Sequence, residues 1–277
     1  MVLLHPVGLD LTFLEPVAAE LRRSFTVLSV DLRGHGHSPA SPSAQSLDDY
    51  ADDVHVLLGA RGFAPAAVAG FSFGGMVTQH LALKYPNDVS ALAICACAST
   101  LKSENRVIAA ERGAQAEREG MGAVLDATLD RWFTPEFRAS GAAGAARDRL
   151  LSDNVVAWAQ AWRAMAAIDT TARLGAIRVP TICIAGELDK SSPPEIVAAI
   201  VERIAGARFA VIPGAPHMLF IEQPGWSPAS SATFSPGYNR AACLLAFNRD
   251  EDAAVVDALD VVDIECRMQN YAVHMDL

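Results

Sequence analysis

The most informative part of the sequence is Gly70-Phe71-Ser72-Phe73-Gly74, which lies between an apolar run and an amphipathic stretch. A G-x-S-x-G sequence in this setting is typical of a sharp turn that leads from a buried strand into a helix. The turn leaves so little room that small residues must flank the serine, and its strained backbone lifts the Ser72 hydroxyl clear of the chain. The amide dipoles of the following helix favour negative charge that develops beside this hydroxyl. The segment therefore predicts a strand–turn–helix unit that presents a nucleophilic serine.

Short apolar runs alternate with helix-like segments on both sides of this turn. Most of the runs lack a polar alternation, as expected when helices cover both faces of a parallel sheet. The predicted strands are residues 2–5, 25–30, 66–69, 89–96, 181–185 and 208–211. The predicted helices are residues 11–22, 47–58, 75–85 and 195–204. Their alternation predicts an α/β fold with a doubly wound, mostly parallel sheet.

Residues 101–174 interrupt this alternation, because no run among them has the character of a strand. The segment is rich in alanine and contains Trp132, Phe133, Trp158 and Trp162. We expect an all-helical insertion that forms a lid over the open end of the sheet, with residues 1–100 and 175–224 as the two parts of the core. Its aromatic side chains are expected to pack inside the lid rather than to contact a substrate, because aromatic residues dominate packing generally.

His217 is the candidate base that would activate Ser72. A serine hydroxyl is a weak nucleophile until a neighbouring group takes its proton. His217 follows the last predicted strand through Pro-Gly-Ala-Pro at residues 213–216, a sequence that can continue neither a helix nor a strand. It is therefore expected on a loop beyond a strand end, where the active-site groups of open α/β sheets gather. The histidines interpreted as surface or core residues are His35, His37, His55, His80 and His274.

Asp189 is the candidate acid that would orient the histidine and stabilise its charged form. It comes shortly after the strand predicted at residues 181–185. The order serine, acid, histidine along the chain is one of the known orders of a catalytic triad. Glu187 is an alternative acid, although its place is more typical of a residue that orients the loop or faces solvent. No acidic residue follows the preceding strand at Ser99 or Thr100.

Two backbone amides are needed to bind the oxyanion of the transition state. The first candidate is the N–H of Phe73, immediately after the serine. The second lies in the turn His5-Pro6-Val7-Gly8 after the first strand, where Pro6 has no amide hydrogen and Val7 is the candidate donor. Together these assignments predict acyl transfer as the chemistry of the site.

The composition limits the class of partner. The chain has 277 residues, 51% hydrophobic and 19% charged, which suits one well-buried core and is unlike a disordered protein. Its net charge of −10 argues against nucleic acid and against an anionic membrane surface as partners. Its cysteines lack metal-binding spacing and are typical of reduced core residues, and no apolar run approaches the about 20 residues of a membrane span. We therefore expect a cytoplasmic protein with a small-molecule substrate and with neither a cofactor nor a metal.

Several motifs, taken together, resemble the α/β-hydrolase superfamily. They are the turn at residues 5–8, Asp-Leu-Arg-Gly-His-Gly-His-Ser at residues 31–38, the serine turn, the loop of Asp189, and Gly-Ala-Pro-His at residues 214–217. The resemblance runs from about Val2 to Pro224. It implies the α/β-hydrolase fold, with Ser72, Asp189 and His217 as the catalytic triad.

The insertion carries a sequence that narrows the resemblance. Arg-Trp-Phe-Thr-Pro-Glu-Phe at residues 131–137, with the opening His-Pro-Val-Gly-Leu-Asp, is similar to 3-oxoadipate enol-lactonases and related esterases. The resemblance implies a small carboxylated enol-lactone or ester as substrate, with 3-oxoadipate enol-lactone as one candidate. A remote carboxylate requires a cation near the pocket, and each candidate is also typical of a solvated surface residue. The candidate substrate contacts are Arg131, Arg138, Arg163 and Trp132.

Related branches of the superfamily leave other functions open. They include cofactor-free perhydrolases that resemble haloperoxidases, carbon–carbon bond hydrolases and acyl-homoserine lactonases. A protein of this fold could also bind a ligand without catalysis, although an intact triad argues against a pure binder.

Both ends of the chain differ from the pattern of the superfamily. The fold normally begins with further strands, without which the strand at residues 25–30 becomes an exposed apolar edge, so the sequence is interpreted as lacking its N-terminus. After Pro224, residues 225–277 form an atypical tail, because the prolines and serines at residues 225–237 do not suit the amphipathic helix expected there. A frameshift is one hypothesis for this tail, and the source DNA would decide it.

Overall fold

The chain is built around a parallel β-sheet. The computed structural model describes residues 1–41, 43 and 45–223. Its strands are β1 (Val2–Leu4), β2 (Leu28–Val30), β3 (Ala66–Phe71), β4 (Val89–Cys95), β5 (Thr181–Gly186) and β6 (Arg208–Ile212). They form a six-stranded sheet in the order β2-β1-β3-β4-β5-β6, and every neighbouring pair is parallel. The parallel α/β fold that the sequence predicts is therefore confirmed.

Helices connect the strands. They are α1 (Glu15–Leu21), α2 (Leu47–Arg61), α3 (Phe73–Lys84), α4 (Ser103–Glu119), α5 (Met121–Trp132), α6 (Pro135–Ala139), α7 (Gly144–Leu151), α8 (Val155–Ala166), α9 (Pro194–Val201) and α10 (Leu219–Glu222). The helix α3 is buried almost throughout, since it follows β3 directly and packs against both α2 and the sheet. Its first turn therefore lies at the carboxyl ends of the strands, the edge at which active sites of such sheets form.

Several elements begin or end away from their predicted limits. β2 begins at Leu28 rather than at Phe25, because its partner β1 begins at Val2, which pairs with Leu28. The helix predicted at residues 11–22 divides into a 3-10 turn, Leu11–Leu14, and α1, whose first turn contains Pro16. Proline is tolerated there because the first amides of a helix have no partner to lose. α9 is shorter than predicted and ends at Val201.

α4 to α8 form the segment between β4 and β5, which we call the helical insertion. α4 packs closely on α8 at Gly113, where an added Cβ would lie 2.9 Å from the Ala159 Cα. Its buried aromatic side chains are Trp132, Phe133, Trp158 and Trp162, with exposed fractions of 3, 1, 0 and 7%. The insertion is thus a packed helical layer with its own aromatic core, and its role as a lid stays a prediction.

The predicted atypical tail at residues 225–277, together with the frameshift hypothesis, lies outside the described residues. Within the described ranges, no helix has both the length and the hydropathy needed to cross a bilayer.

The start of α2 is fixed by a capping box that the sequence predicts. The Ser46 N–H donates to Asp49 Oδ2 at 2.7 Å, and the Asp49 N–H donates to Ser46 Oγ at 3.3 Å. Each side chain thus satisfies an amide that the helix leaves without a partner.

We predict that Ser46→Ala lowers the free energy of unfolding by about 1 kcal/mol, because the amide at the start of α2 loses its acceptor. Urea denaturation followed by circular dichroism measures the change. Ser24→Ala is the matched control, since Ser24 is an exposed serine outside the helices, and it should leave the midpoint unchanged. Equal midpoints for the two variants would contradict the capping role.

Candidate active site

Ser72 occupies a strained turn between β3 and α3. Its φ of 53° and ψ of −111° lie outside the regions that residues with a side chain normally adopt. The Ser72 N–H donates to the Cys95 carbonyl at the end of β4 at 2.8 Å. The Ser72 carbonyl accepts from the Met76 N–H at 3.0 Å in the first turn of α3. The unusual conformation is therefore held by the neighbouring strand and by the helix that follows.

Two glycines beside Ser72 are required by close backbone contacts. A Cβ on Gly70 would lie 2.2 Å from the Gly74 carbonyl oxygen. A Cβ on Gly74 would lie 2.4 Å from the Leu4 carbonyl oxygen of β1. A side chain at either position would displace the turn, which explains why glycine stands on each side of the serine.

The structure brings Ser72, His217 and Asp189 into one hydrogen-bonded line. His217 Nε2 lies 2.9 Å from Ser72 Oγ, and His217 Nδ1 lies 2.8 Å from Asp189 Oδ2. The three residues are buried, with exposed fractions of 6, 5 and 3% in the same order. Because Nδ1 faces a carboxylate, it carries the ring proton, and Nε2 can accept the proton of the serine hydroxyl.

Asp189 is held in its ionised form. Burial alone opposes ionisation, but the His217 ring and the hydrogen bonds to the carboxylate outweigh this effect and hold the pKa of Asp189 below its ordinary value. The Ser191 and Ser192 N–H groups donate to Asp189 Oδ1 at 2.7 and 2.9 Å. These two bonds fix Oδ1 on the backbone, and Oδ2 is left to accept from the His217 ring.

Glu187, the alternative acid, is bonded elsewhere. Its Oε2 accepts a hydrogen bond from the Gly214 N–H at 2.7 Å. The Leu188 N–H donates to the Ala215 carbonyl at 2.9 Å. These bonds join the loop after β5 to the loop after β6. Glu187 therefore orients the loops, while Asp189 faces the histidine.

The amides of Val7 and Phe73, the predicted oxyanion donors, are buried and available. In the described part of the chain, neither N–H group donates to a backbone carbonyl. The Gly74 N–H donates to the His5 carbonyl at 3.2 Å, which ties the turn after β1 to the first turn of α3. An oxyanion site needs two such amides, so the assignment of Val7 and Phe73 as its donors stays a prediction.

His5 fixes the shape of the turn that carries Val7, a role for which its position just before Pro6 was the only sequence signal. His5 Nε2 accepts from the Leu32 N–H at 2.9 Å, so Nδ1 carries the proton and donates to the Pro6 carbonyl at 2.7 Å. Burial, with a smaller effect of the nearby His35, holds the pKa of His5 well below its ordinary value. A neutral His5 is therefore a structural bridge between two loops.

The helical insertion packs directly on this turn at Gly8. The φ of Gly8 is 73°, a conformation that favours glycine. A Cβ there would lie 2.6 Å from Trp158 Cζ3, 2.7 Å from Leu150 Cδ2 and 3.3 Å from Trp132 Cη2. Trp132, the predicted substrate contact, thus lies with Trp158 beside the turn after β1 that carries Val7.

Arg149 of α7 links the insertion to the same turn, and sequence motifs did not reveal it. Arg149 Nε donates to Asp10 Oδ2 at 2.7 Å, and its guanidinium pairs with Asp153 Oδ1 at 3.0 Å. Asp10 Oδ1 in turn accepts from the Thr12 N–H at 3.0 Å, which caps the 3-10 turn. Arg149 therefore joins α7 to Asp10, two residues after the turn at residues 5–8.

A second link joins the insertion to the loop of His217. The Met218 N–H donates to the Trp132 carbonyl at 3.0 Å. The Thr134 N–H donates to Glu222 Oε2 at 3.1 Å. The insertion thus contacts both the turn that carries the predicted oxyanion donor Val7 and the loop of the candidate base.

The predicted cations of the insertion differ in their surroundings. Arg138 forms an ion pair with Asp130 at 3.1 Å, and Arg163 pairs with Glu117, so each already has a neutralising carboxylate. Arg131 is partly buried and makes no ion pair with a described residue. Of the predicted arginines, Arg131 is therefore the one without an ion-pair partner in the described chain, and its charge acts on the neighbouring Asp130.

Comparison with known proteins decides the family. The model of the alpha/beta hydrolase family matches residues 1–226. The chain belongs to the α/β-hydrolase family. The 3-oxoadipate enol-lactonase 1 of Acinetobacter baylyi is 27% identical to this hydrolase over 226 residues, which make up 81% of this chain and 84% of that protein.

Solved structures resemble this α/β-hydrolase over most of its length. The enol-lactonase from Burkholderia xenovorans is 30% identical, with a TM-score of 0.76, and the match covers 81% of this chain and 86% of that one. A thermophilic esterase from Thermogutta terrifontis, solved with malate bound, is 29% identical, with a TM-score of 0.76 and coverage of 81% and 84%. The similarities support hydrolase activity and leave the substrate open.

No group of three or more histidine, cysteine, aspartate or glutamate side chains among residues 1–41, 43 and 45–223 is arranged to hold a metal ion.

We predict that Asp189→Asn lowers the free energy of unfolding by roughly 1–3 kcal/mol at pH 7, because the hydrogen bonds to the carboxylate lose their charge. A carboxyl group with a lowered pKa stabilises the fold above its ordinary pKa of 3.8, and this stabilisation is lost as the pH falls further. The difference between wild type and variant should therefore shrink below pH 3.8. Urea unfolding between pH 7 and pH 3 measures it, and a difference that stays constant over this range contradicts the assignment.

Proposed function

We propose that this α/β-hydrolase cleaves small carboxylic esters or lactones through an acyl-enzyme formed on Ser72. The observation that carries the proposal is the 2.9 Å approach of His217 Nε2 to Ser72 Oγ, with Asp189 bound to the other ring nitrogen. An alcohol that faces a neutral imidazole, itself oriented by a carboxylate, is the arrangement that makes serine nucleophilic.

In the first step, Ser72 Oγ attacks the substrate carbonyl while His217 Nε2 accepts the hydroxyl proton. The carbonyl oxygen becomes an oxyanion, which the amides of Phe73 and Val7 would bind. Asp189 stabilises the resulting imidazolium without taking its proton. Preorganised amides of this kind are worth about 100- to 1,000-fold in rate for each donor.

In the second step, the protonated His217 gives its proton to the leaving alkoxide or enolate oxygen, and the acyl group stays on Ser72. His217, neutral again, then takes a proton from water, which attacks the acyl-enzyme. Collapse of this second oxyanion releases the acid and returns the proton to Ser72. In a lactone, both products are parts of one molecule, so ring opening leaves a single hydroxy or keto acid.

Within this class, we propose a small carboxylated enol-lactone or ester as the substrate, with 3-oxoadipate enol-lactone as the first compound to assay. The named enol-lactonases among the similar proteins support it. Arg131, a half-buried cation, also supports it. The burial of Ser72, 6% exposed, suits a small molecule rather than a polymer. The buried, reduced thiols of Cys97 and Cys183 support a cytoplasmic location.

The non-catalytic alternative accounts less well for the site. A protein that only binds a ligand needs neither a strained serine nor a histidine oriented by a buried carboxylate, and both cost stability. No described residue specifically favours a perhydrolase or a carbon–carbon bond hydrolase, so those functions stay predictions of the family resemblance.

We predict that Ser72→Ala and His217→Gln each lower kcat for p-nitrophenyl acetate by about 10,000-fold or more, because either change removes the activated nucleophile. Steady-state kinetics measures the loss, and circular dichroism verifies folding. Ser24→Ala and His55→Gln are the matched controls, because His55 bonds to Asp88 away from Ser72, and they should keep kcat within about twofold. Activity of more than about one-hundredth in folded Ser72→Ala would contradict the proposal.

A further inference from the structure

Two indole N–H groups of the helical insertion are buried without a hydrogen-bond partner. Trp158 and Trp162 are 0 and 7% exposed, and neither Nε1 has an acceptor within the described chain. Their rings are in edge-to-face contact, with centroids 5.6 Å apart. An indole nitrogen can only donate, and a buried donor without an acceptor is unfavourable. Each indole therefore has a donor that an oxygen acceptor would satisfy.

A cation lies against the same pair of rings. The Arg112 guanidinium of α4 is 4.9 Å from the centroid of the Trp162 ring. Most other arginines of the insertion pair with an aspartate or glutamate, namely Arg118, Arg138, Arg147, Arg149 and Arg163. Arg112 has no such partner among the residues that the structure describes.

The surroundings of Arg112 make its charge costly in the absence of an anion. Burial, together with the positive charge of nearby Arg131, lowers the pKa of Arg112 to about 10. Arg112 lies close enough to Arg131 for the two to repel one another, and Arg112 has no carboxylate partner in the described chain. An added negative charge would therefore stabilise Arg112.

The two tryptophans lie beside the turn after β1. Trp158 packs on Gly8, the residue directly after the candidate oxyanion donor Val7. Trp162 lies one helical turn further along α8, on the same face and about 6 Å away along the axis. Arg112 is in contact with Trp162 on the side of α4. A bound molecule with its carbonyl at Ser72 could thus place a distant acidic group against the arginine.

We propose that Arg112, Trp158 and Trp162 form a subsite that binds the carboxylate of an anionic ester or lactone substrate. The guanidinium supplies charge and paired N–H donors, which match the two oxygens of a carboxylate. The indole rings supply apolar walls for the short carbon chain between the carboxylate and the scissile carbonyl. This inference rests on the proposed esterase or lactonase function and names the substrates that the enzyme would prefer.

The first test compares two esters that differ in charge and by one methyl group, namely mono-p-nitrophenyl glutarate and its neutral methyl ester. Arg112→Met should lower kcat/KM for the anionic ester by about 10- to 100-fold, mainly through KM, and should leave the neutral ester within about twofold. Trp162→Phe removes the indole N–H and keeps an aromatic ring. It should lower kcat/KM for the anionic ester by a smaller factor and leave kcat/KM for the neutral ester unchanged. Arg118→Met is the matched control on the same helix, since Arg118 already pairs with Glu111.

The second test measures binding without turnover, by isothermal titration of the wild-type enzyme with glutarate. Arg112→Met should weaken binding by about 10- to 100-fold, and Arg118→Met should not change it. The subsite is refuted if wild type does not bind glutarate or if Arg112→Met binds it equally well. It is also refuted if Arg112→Met lowers kcat/KM for the anionic and the neutral ester by the same factor. Turnover of the neutral ester by wild type tests the proposed function separately, so failure of the function and failure of the subsite give different results.

Discussion

The whole site depends on one backbone conformation, the positive φ of Ser72 between β3 and α3. That conformation directs the hydroxyl toward the loops at the carboxyl ends of the strands rather than into the sheet. It is possible only because Gly70 and Gly74 let neighbouring backbone approach to distances that no Cβ allows. The hydrogen bond from Gly74 to His5 then sets the distance between α3 and the turn after β1. The geometry of Ser72 and that of the predicted oxyanion donors are thus set by a single constraint.

The charges of the site follow from burial and from the order of hydrogen bonds. Asp189 is buried yet ionised, because amides and the His217 ring compensate for the lost water. His5 is buried and neutral, because an amide and a carbonyl already occupy its ring nitrogens. The protein therefore leaves His5 neutral between two backbone groups and places the buried charge of Asp189 beside His217, the histidine that faces Ser72.

The sequence predicted the residues that belong to local motifs and missed those that act through distant contacts. Chain order and turn chemistry placed Ser72, Asp189 and His217 on loops at one edge of the sheet, and the parallel sheet itself was predicted from apolar runs. Arg149 and Arg112 belong to no sequence motif. The role of an arginine depends on which acid or ring it contacts, and these contacts join residues far apart in the chain. The ion pairs of Arg138 and Arg163 were invisible in the sequence for the same reason.

The acyl-enzyme is the species that most directly tests this account. Wild-type protein mixed with p-nitrophenyl acetate, quenched in acid within one turnover and examined by mass spectrometry, should gain the mass of one acetyl group. Proteolysis should place that group on the peptide containing Ser72. Release of p-nitrophenol with no acetylated protein, or with the acetyl group on another residue, would contradict the account.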